Sequence, residues 1–225
     1  MPVPTVVGTS VASRYSDPTL TVPGSANYVI GGGSYVPGGA DPGAAATLGG
    51  NAMAIVGTPA SWAATLASIL FGYANPTAAA HVFAPTGTGR VNRIAMSLAD
   101  VDTASPADTA AVSSGTSTAP SVTITTDTNA LAVALVSFGA LAGVTISAGA
   151  GETVVIQYVE DGRASALLTK AGAASVSFAP TLSGSTDWHI TAVGINGTVA
   201  AGGQPTMRRW GGVPFMGQSA GRRGW

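Results

Sequence analysis

Short runs of apolar side chains alternate across two faces in several parts of the chain. From Leu131 to Phe138, Leu131, Val133 and Leu135 point one way while Ala132, Ala134, Val136 and Phe138 point the other. From Glu152 to Val159, Val154, Ile156 and Tyr158 oppose Val155 and Val159. Successive side chains of a strand leave on opposite faces. Apolar residues on both faces therefore predict central strands buried from both sides. Ser121 to Thr126 reads as another strand, Thr21 to Ile30 as the first core strand, and Ala52 to Val56 as a short one. Ala80 to Thr86 and Asn92 to Ala99 read as a hairpin. Ser61 to Tyr73 is ambiguous. Trp62, Leu66, Ile69, Leu70 and Tyr73 follow helical spacing, but the ending ILFGY suits a strand, and the β context favours strand or mixed. Gly31 to Gly50 reads as a loop supplying the positive φ angles of tight turns.

One segment is echoed. Phe83-Ala84-Pro85-Thr86 recurs as Phe178-Ala179-Pro180-Thr181, 95 residues later, and a polar turn and an apolar strand follow each copy. That period is too long for a solenoid unit of roughly 20–50 residues. It predicts one domain of two similar halves, joined by the Ala/Ser/Thr/Pro-rich stretch Thr103 to Ser121. Many short strands separated by turns give the fold class: all-β, a jelly-roll-type antiparallel β-sandwich built from two similar halves. The sandwich is expected over residues 21–201, after an extended N-terminal arm (1–20) and before an extended C-terminal arm (202–225). Pro2, Pro4 and Pro18 keep the N-terminal arm off any central strand. In the second copy, Val176 to Ile195 reads as a hairpin, with Trp188 and Ile190 facing inward.

Composition sharpens this picture. Thirty-one Gly and 14 Pro suit turns rather than long helices. Charged residues make up 8%, against roughly 25% in an ordinary soluble domain. A surface so poor in charge is either solvated by Ser, Thr and Gly or covered by neighbouring subunits. Mean hydropathy is positive, +0.37, yet no apolar run reaches the roughly 18 residues of a membrane-spanning helix. With no cysteine there is no disulfide, thiolate metal site or thiol nucleophile. The start MPVPTVVGTS lacks the pattern of a secretory signal, so folding in the cytoplasm is expected.

Candidate chemistry is sparse. Ser185, Asp187 and His189 alternate along one strand face, but the histidine stands at the end of the row and no GxSxG elbow precedes the serine. They read as the polar face of an amphipathic strand. Asp100, Asp102 and Asp108 lack the spacing of a calcium loop, and His81 and His189 have no companion ligands at zinc spacing. Thr86-Gly87-Thr88-Gly89-Arg90 lacks the Lys-Ser/Thr ending of a phosphate loop, and Asn196-Gly197-Thr198 reads as a turn. No cofactor or metal is expected.

The C-terminal stretch differs from the rest. Residues 1–207 carry five basic side chains against ten acids, a net of −5, whereas residues 208–225 carry four arginines and no acid. Arg208, Arg209, Trp210, Phe215, Arg222, Arg223 and Trp225 are separated by Gly-rich spacers that build no core of their own. Trp and Arg dominate binding hot spots, and an extended arm can fold on contact. These seven residues are therefore the candidate partner-binding set. Four charges on a body of −5 are a poor footprint for nucleic acid.

The Ala/Gly/Ser/Thr-rich sandwich, the GGNAMAIVG strand, the ending SFAPTLSGSTDWHITAVGING and the tail RRWGGVPF together resemble structural proteins of tailed bacteriophages. The resemblance implies a non-enzymatic virion component: a capsid decoration, fibre or tail-associated protein, made in the bacterial host cytoplasm. It implies assembly with capsid, portal or tail subunits and a homo-oligomer such as a trimer. The alternative from another class is a lectin-like module for host-surface glycans, with Tyr28, Tyr35, Tyr73 and Tyr158 as its aromatic candidates.

Overall fold

The computed structural model describes residues 2–10, 16–35, 44–57, 66–87, 91–139, 143–160 and 162–198. Its elements are all strands: β1 (Thr5–Ser10), β2 (Thr19–Thr21), β3 (Tyr28–Tyr35), β4 (Ala45–Leu48), β5 (Asn51–Ala52), β6 (Ala54–Gly57), β7 (Ala67–Ala74), β8 (Ala80–Thr86) and β9 (Val91–Ala99) in the first half. The second half has β10 (Ala111–Ser117), β11 (Val122–Ile124), β12 (Leu131–Gly139), β13 (Ile146–Ser147), β14 (Thr153–Glu160), β15 (Arg163–Ala171), β16 (Val176–Phe178), β17 (Thr181–Leu182) and β18 (Thr186–Ile195).

The two halves wind alike. The first forms a five-stranded sheet ordered β1-β9-β3-β7-β6 and a smaller sheet ordered β2-β8-β4-β5. The second repeats this as β10-β18-β12-β15-β14, with the short ladders β11-β16 and β13-β17 in place of the smaller sheet. All these pairings are antiparallel. The all-β antiparallel architecture of two similar halves is thus the one expected, and the repeated unit is itself a pair of sheets. Thr103–Ser121 joins two such pairs and contributes β10 to the second. Even the irregularities recur: each outer strand, β6 and β14, has its register shift at a matching place, Ile55/Gly57 and Val154/Ile156.

Alternation along the central strands sorts side chains into three cores. Val29, Tyr35, Ile69, Phe71 and Phe83 fill the first half between its sheets. Ala134, Val136, Phe138, Phe178, Trp188 and Ile190 fill the second. The opposite faces of the two large sheets meet in a seam built from Tyr28, Ile30, Leu70, Ile94, Met96, Val133, Leu135, Leu167 and Val193. Within it β7 lies against β12 and β18, while β9 lies against β15 and β14. Because β9 corresponds to β18 and β7 to β15, the halves face each other about an approximate two-fold axis between β3 and β12. Two sandwiches are stacked into four layers.

Several expectations are revised. Ala80–Thr86 and Asn92–Ala99 do not form a hairpin: β8 pairs with β2 and β4, β9 with β1 and β3, so the chain crosses between sheets. Val176–Ile195 does the same, since β16 and β17 pair with β11 and β13 and β18 with β10 and β12. Gly31–Gly33 are not a loop but the middle of β3, buried throughout. A Cβ on Gly31 would stand 2.5 Å from the Phe83 ring, and one on Gly32 2.5 Å from Leu135 of the other half. Glycine is needed here for closeness on both faces rather than for a turn. Residues 153–160 form an outer strand, not a central one: Val155, Ile156 and Tyr158 lean on the seam while Val159 is exposed. Of the ambiguous stretch Ser61–Tyr73, the described part from Ala67 is strand.

Candidate functional site

Among the described residues most buried polar side chains lie in the seam, and the ladder registers put them in rows. In the first half Ser34 stands opposite Ser68 on one side and Asn92 on the other. In the second half Ser137 stands opposite Ser165 and His189. Each of the six is at most 5% exposed. The rows bond across the seam. Ser137 and Ser165 both donate to Ser34 Oγ, at 2.6 and 2.7 Å, and Asn92 Nδ2 donates to Ser165 Oγ at 3.3 Å. Ser68 Oγ lies 2.7 Å from His189 Nδ1, which also accepts from the Ser68 N–H at 3.3 Å. Thr191 Oγ1 donates to the Ser68 carbonyl at 2.7 Å.

A serine hydroxyl 2.7 Å from an imidazole is the spacing of a nucleophile and its base. Chemistry here is blocked by burial, since Ser68 is 0% and His189 2% exposed. Desolvation also lowers the His189 pKa to about 4, making the ring a weak base. With Nδ1 accepting the Ser68 N–H, the imidazole proton sits on Nε2. The arrangement is a joint: sliding either sheet by one residue would bury hydroxyls without partners, at roughly 1–3 kcal/mol each.

The row Ser185, Asp187, His189 is not a triad. His189 bonds to the other half, whereas Asp187 Oδ1 accepts from Thr116 on β10 at 2.6 Å. Trp188 and Ile190 face the core between the sheets of the second half, as expected, and Trp188 Nε1 donates to Ser117 Oγ at 2.9 Å. His81 Nε2 lies 2.9 Å from the Thr77 carbonyl. Asp102 accepts from the Ala104 N–H at 3.0 Å, closing a local turn. Among the described residues no group of three or more metal-ligating side chains gathers. Of the four tyrosines proposed for glycans, Tyr28 and Tyr35 are corrected: both are core residues, and burial pushes the Tyr28 phenol up to about 12. Tyr73 and Tyr158 are half-buried against the cores.

One open groove of about 500 Å³ runs between β10 and β11, with Ala110, Ala111 and Ile124 as its apolar lining and Asp108 and Asp127 among its polar residues. Asp108 accepts from Thr126 Oγ1 at 2.8 Å and from Asn196 Nδ2 at 3.1 Å. The candidate partner-binding set Arg208, Arg209, Trp210, Phe215, Arg222, Arg223 and Trp225 lies outside the described residues, as does Trp62. Sequence reasoning missed the polar rows, whose only signal was Ser, Asn and His interrupting apolar strands. Comparison with family models, curated proteins and solved structures finds no match.

Proposed function

We propose that this protein is a non-enzymatic structural component of a bacteriophage virion, a capsid decoration, fibre or tail-associated protein, anchored by its C-terminal arm. The observation that carries the reading is the seam. The serine and histidine groups best suited to chemistry bond to one another across it and join two sandwiches into one stacked body. The strand order β1-β9-β3-β7 over β2-β8-β4-β5 supports reading each half as a jelly roll, a fold common in capsid proteins. The arm adds the other half of the argument: Trp210, Phe215 and Trp225 need a surface to cover them, and four arginines can pair with carboxylates or main-chain oxygens.

The test is particle incorporation of Trp210→Ala/Trp225→Ala beside the melting temperature of the purified protein. Loss of incorporation with unchanged melting is expected. Normal incorporation refutes the anchoring role, and specific binding of the body on a glycan array would favour the lectin-like alternative.

A further inference from the structure

We infer that the groove between β10 and β11 is the docking site of the protein's own C-terminal arm, with the Arg208–Arg209 pair drawn to Asp108 and Asp127. The inference rests on the anchoring role proposed for the arm and adds where the arm is held before a partner takes it. Three observations meet here. The first is position. Thr198, the last described residue, is tied by its N–H to the Asp100 carbonyl at 2.9 Å, and Asn196 bonds directly to Asp108 of the groove wall. The arm therefore leaves the body at the groove's mouth.

The second is charge. Asp100 and Asp102 flank the root of the arm, through the Val101–Gly197 bridge and the Asp102 N–H to Asn196 carbonyl bond, and Asp108 and Asp127 line the groove. Lys170, which reaches the outer strand β16, is already held on the Ser177 carbonyl at 2.8 Å. The arm carries four arginines and no acid from residue 208 on. The third is reach. The ten residues from Thr198 to Arg208 span up to roughly 33–36 Å when extended, and Gly202, Gly203 and Pro205 suit a turn back towards the body. A short flexible tether gives an effective concentration of roughly millimolar, which favours the chain's own groove over that of a second copy. Ala110, Ala111 and Ile124 offer an apolar floor on which the neighbouring Trp210 can lie.

The experiment uses the full-length protein and chymotrypsin, which cuts after Trp210 and Phe215 without depending on arginine. Cleavage rates are compared for the wild type, Asp127→Lys, Arg208→Glu/Arg209→Glu and the combined variant, with light scattering at each concentration and melting temperature as the control for folding. Asp127 is exposed, so its replacement leaves the cores intact. The wild-type monomer should be cut roughly five- to tenfold more slowly than either charge variant at low salt, with protection falling as salt rises. The combined variant should regain protection. Equal rates in all four proteins overturn the inference, and so does protection seen only where oligomers form, which would assign the arm to a second copy. If the arm is unprotected while Trp210→Ala/Trp225→Ala still loses incorporation, the groove falls and the anchoring role stands.

Discussion

At corresponding places in the seam the two halves agree in one row and differ in the next: Ser34, Ser68 and Asn92 match Ser137, Ser165 and His189, but Gly32 stands where the second half has Leu135. The ladder row of the first half that contains Gly32 also contains Leu70 and Ile94, all apolar. The matching row of the second half, set by the register shifts that equate Leu70 with Leu167, is Leu135, Leu167 and Thr191. A seam symmetric in chemistry as well as in winding would set like against like. The polar rows do so, Ser137, Ser165 and His189 meeting Ser34, Ser68 and Asn92, but in the next row Leu135 sits over the space left by its counterpart Gly32. Strand order and the polar row are thus duplicated, and the pairing of a large side chain with a glycine is not. A repeated fold needs only repeated hydrophobic alternation, whereas a single docking register needs features that occur once.

Four measurements test how the two halves are joined. Leu135→Ala should have the largest effect, because it empties a fully buried site over Gly32. A loss of about 2–5 kcal/mol in urea unfolding is expected, and a loss below about 1 kcal/mol would mean the seam is loosely packed. Acid comes next. The folded-state pKa of His189, about 4, lies below its unfolded value of 6.5, so burial keeps the ring neutral. The stability tied to this neutral ring is complete above about pH 6.5 and declines as pH falls towards 4. The decline amounts to roughly 3 kcal/mol, from about 1.4 kcal/mol per pKa unit. His189→Gln should flatten this part of the curve, whereas parallel curves for variant and wild type would remove His189 from the account.

Ser34→Ala follows, at about 1–3 kcal/mol, because it strands the hydroxyls of Ser137 and Ser165. Ser34→Ala in a Ser137→Ala/Ser165→Ala background should cost less, and additivity would show that the three are not one network. Gly32→Ala is expected to cost about 1–3 kcal/mol alone by crowding Leu135. In the Leu135→Ala protein the same change should be nearly neutral. An equal cost in both backgrounds would mean that Gly32 is constrained by its own strand rather than by the other half.

The sequence made the strand class and the repeat legible, because both are local: β12 alternates visibly, and Phe83-Ala84-Pro85-Thr86 is repeated word for word. Trp188 was legible for the same reason, its neighbours fixing which face it takes. Gly31–Gly33 misled because nothing nearby distinguishes a turn from a strand pressed on both faces; the pressing groups, Phe83 and Leu135, lie far along the chain. β14 looked central because its apolar residues cover the seam from the edge of the sheet. The polar rows were invisible as a site, since Ser68 meets His189 across 121 residues. Their pairing depends on how two finished sandwiches dock.

The most direct test of a jointed body that carries a working arm is to end the chain after Thr198 and measure both melting temperature and particle incorporation. A body that melts with the full-length protein and is absent from particles is expected. Incorporation of the shortened chain at the full-length level would contradict the arm's anchoring role.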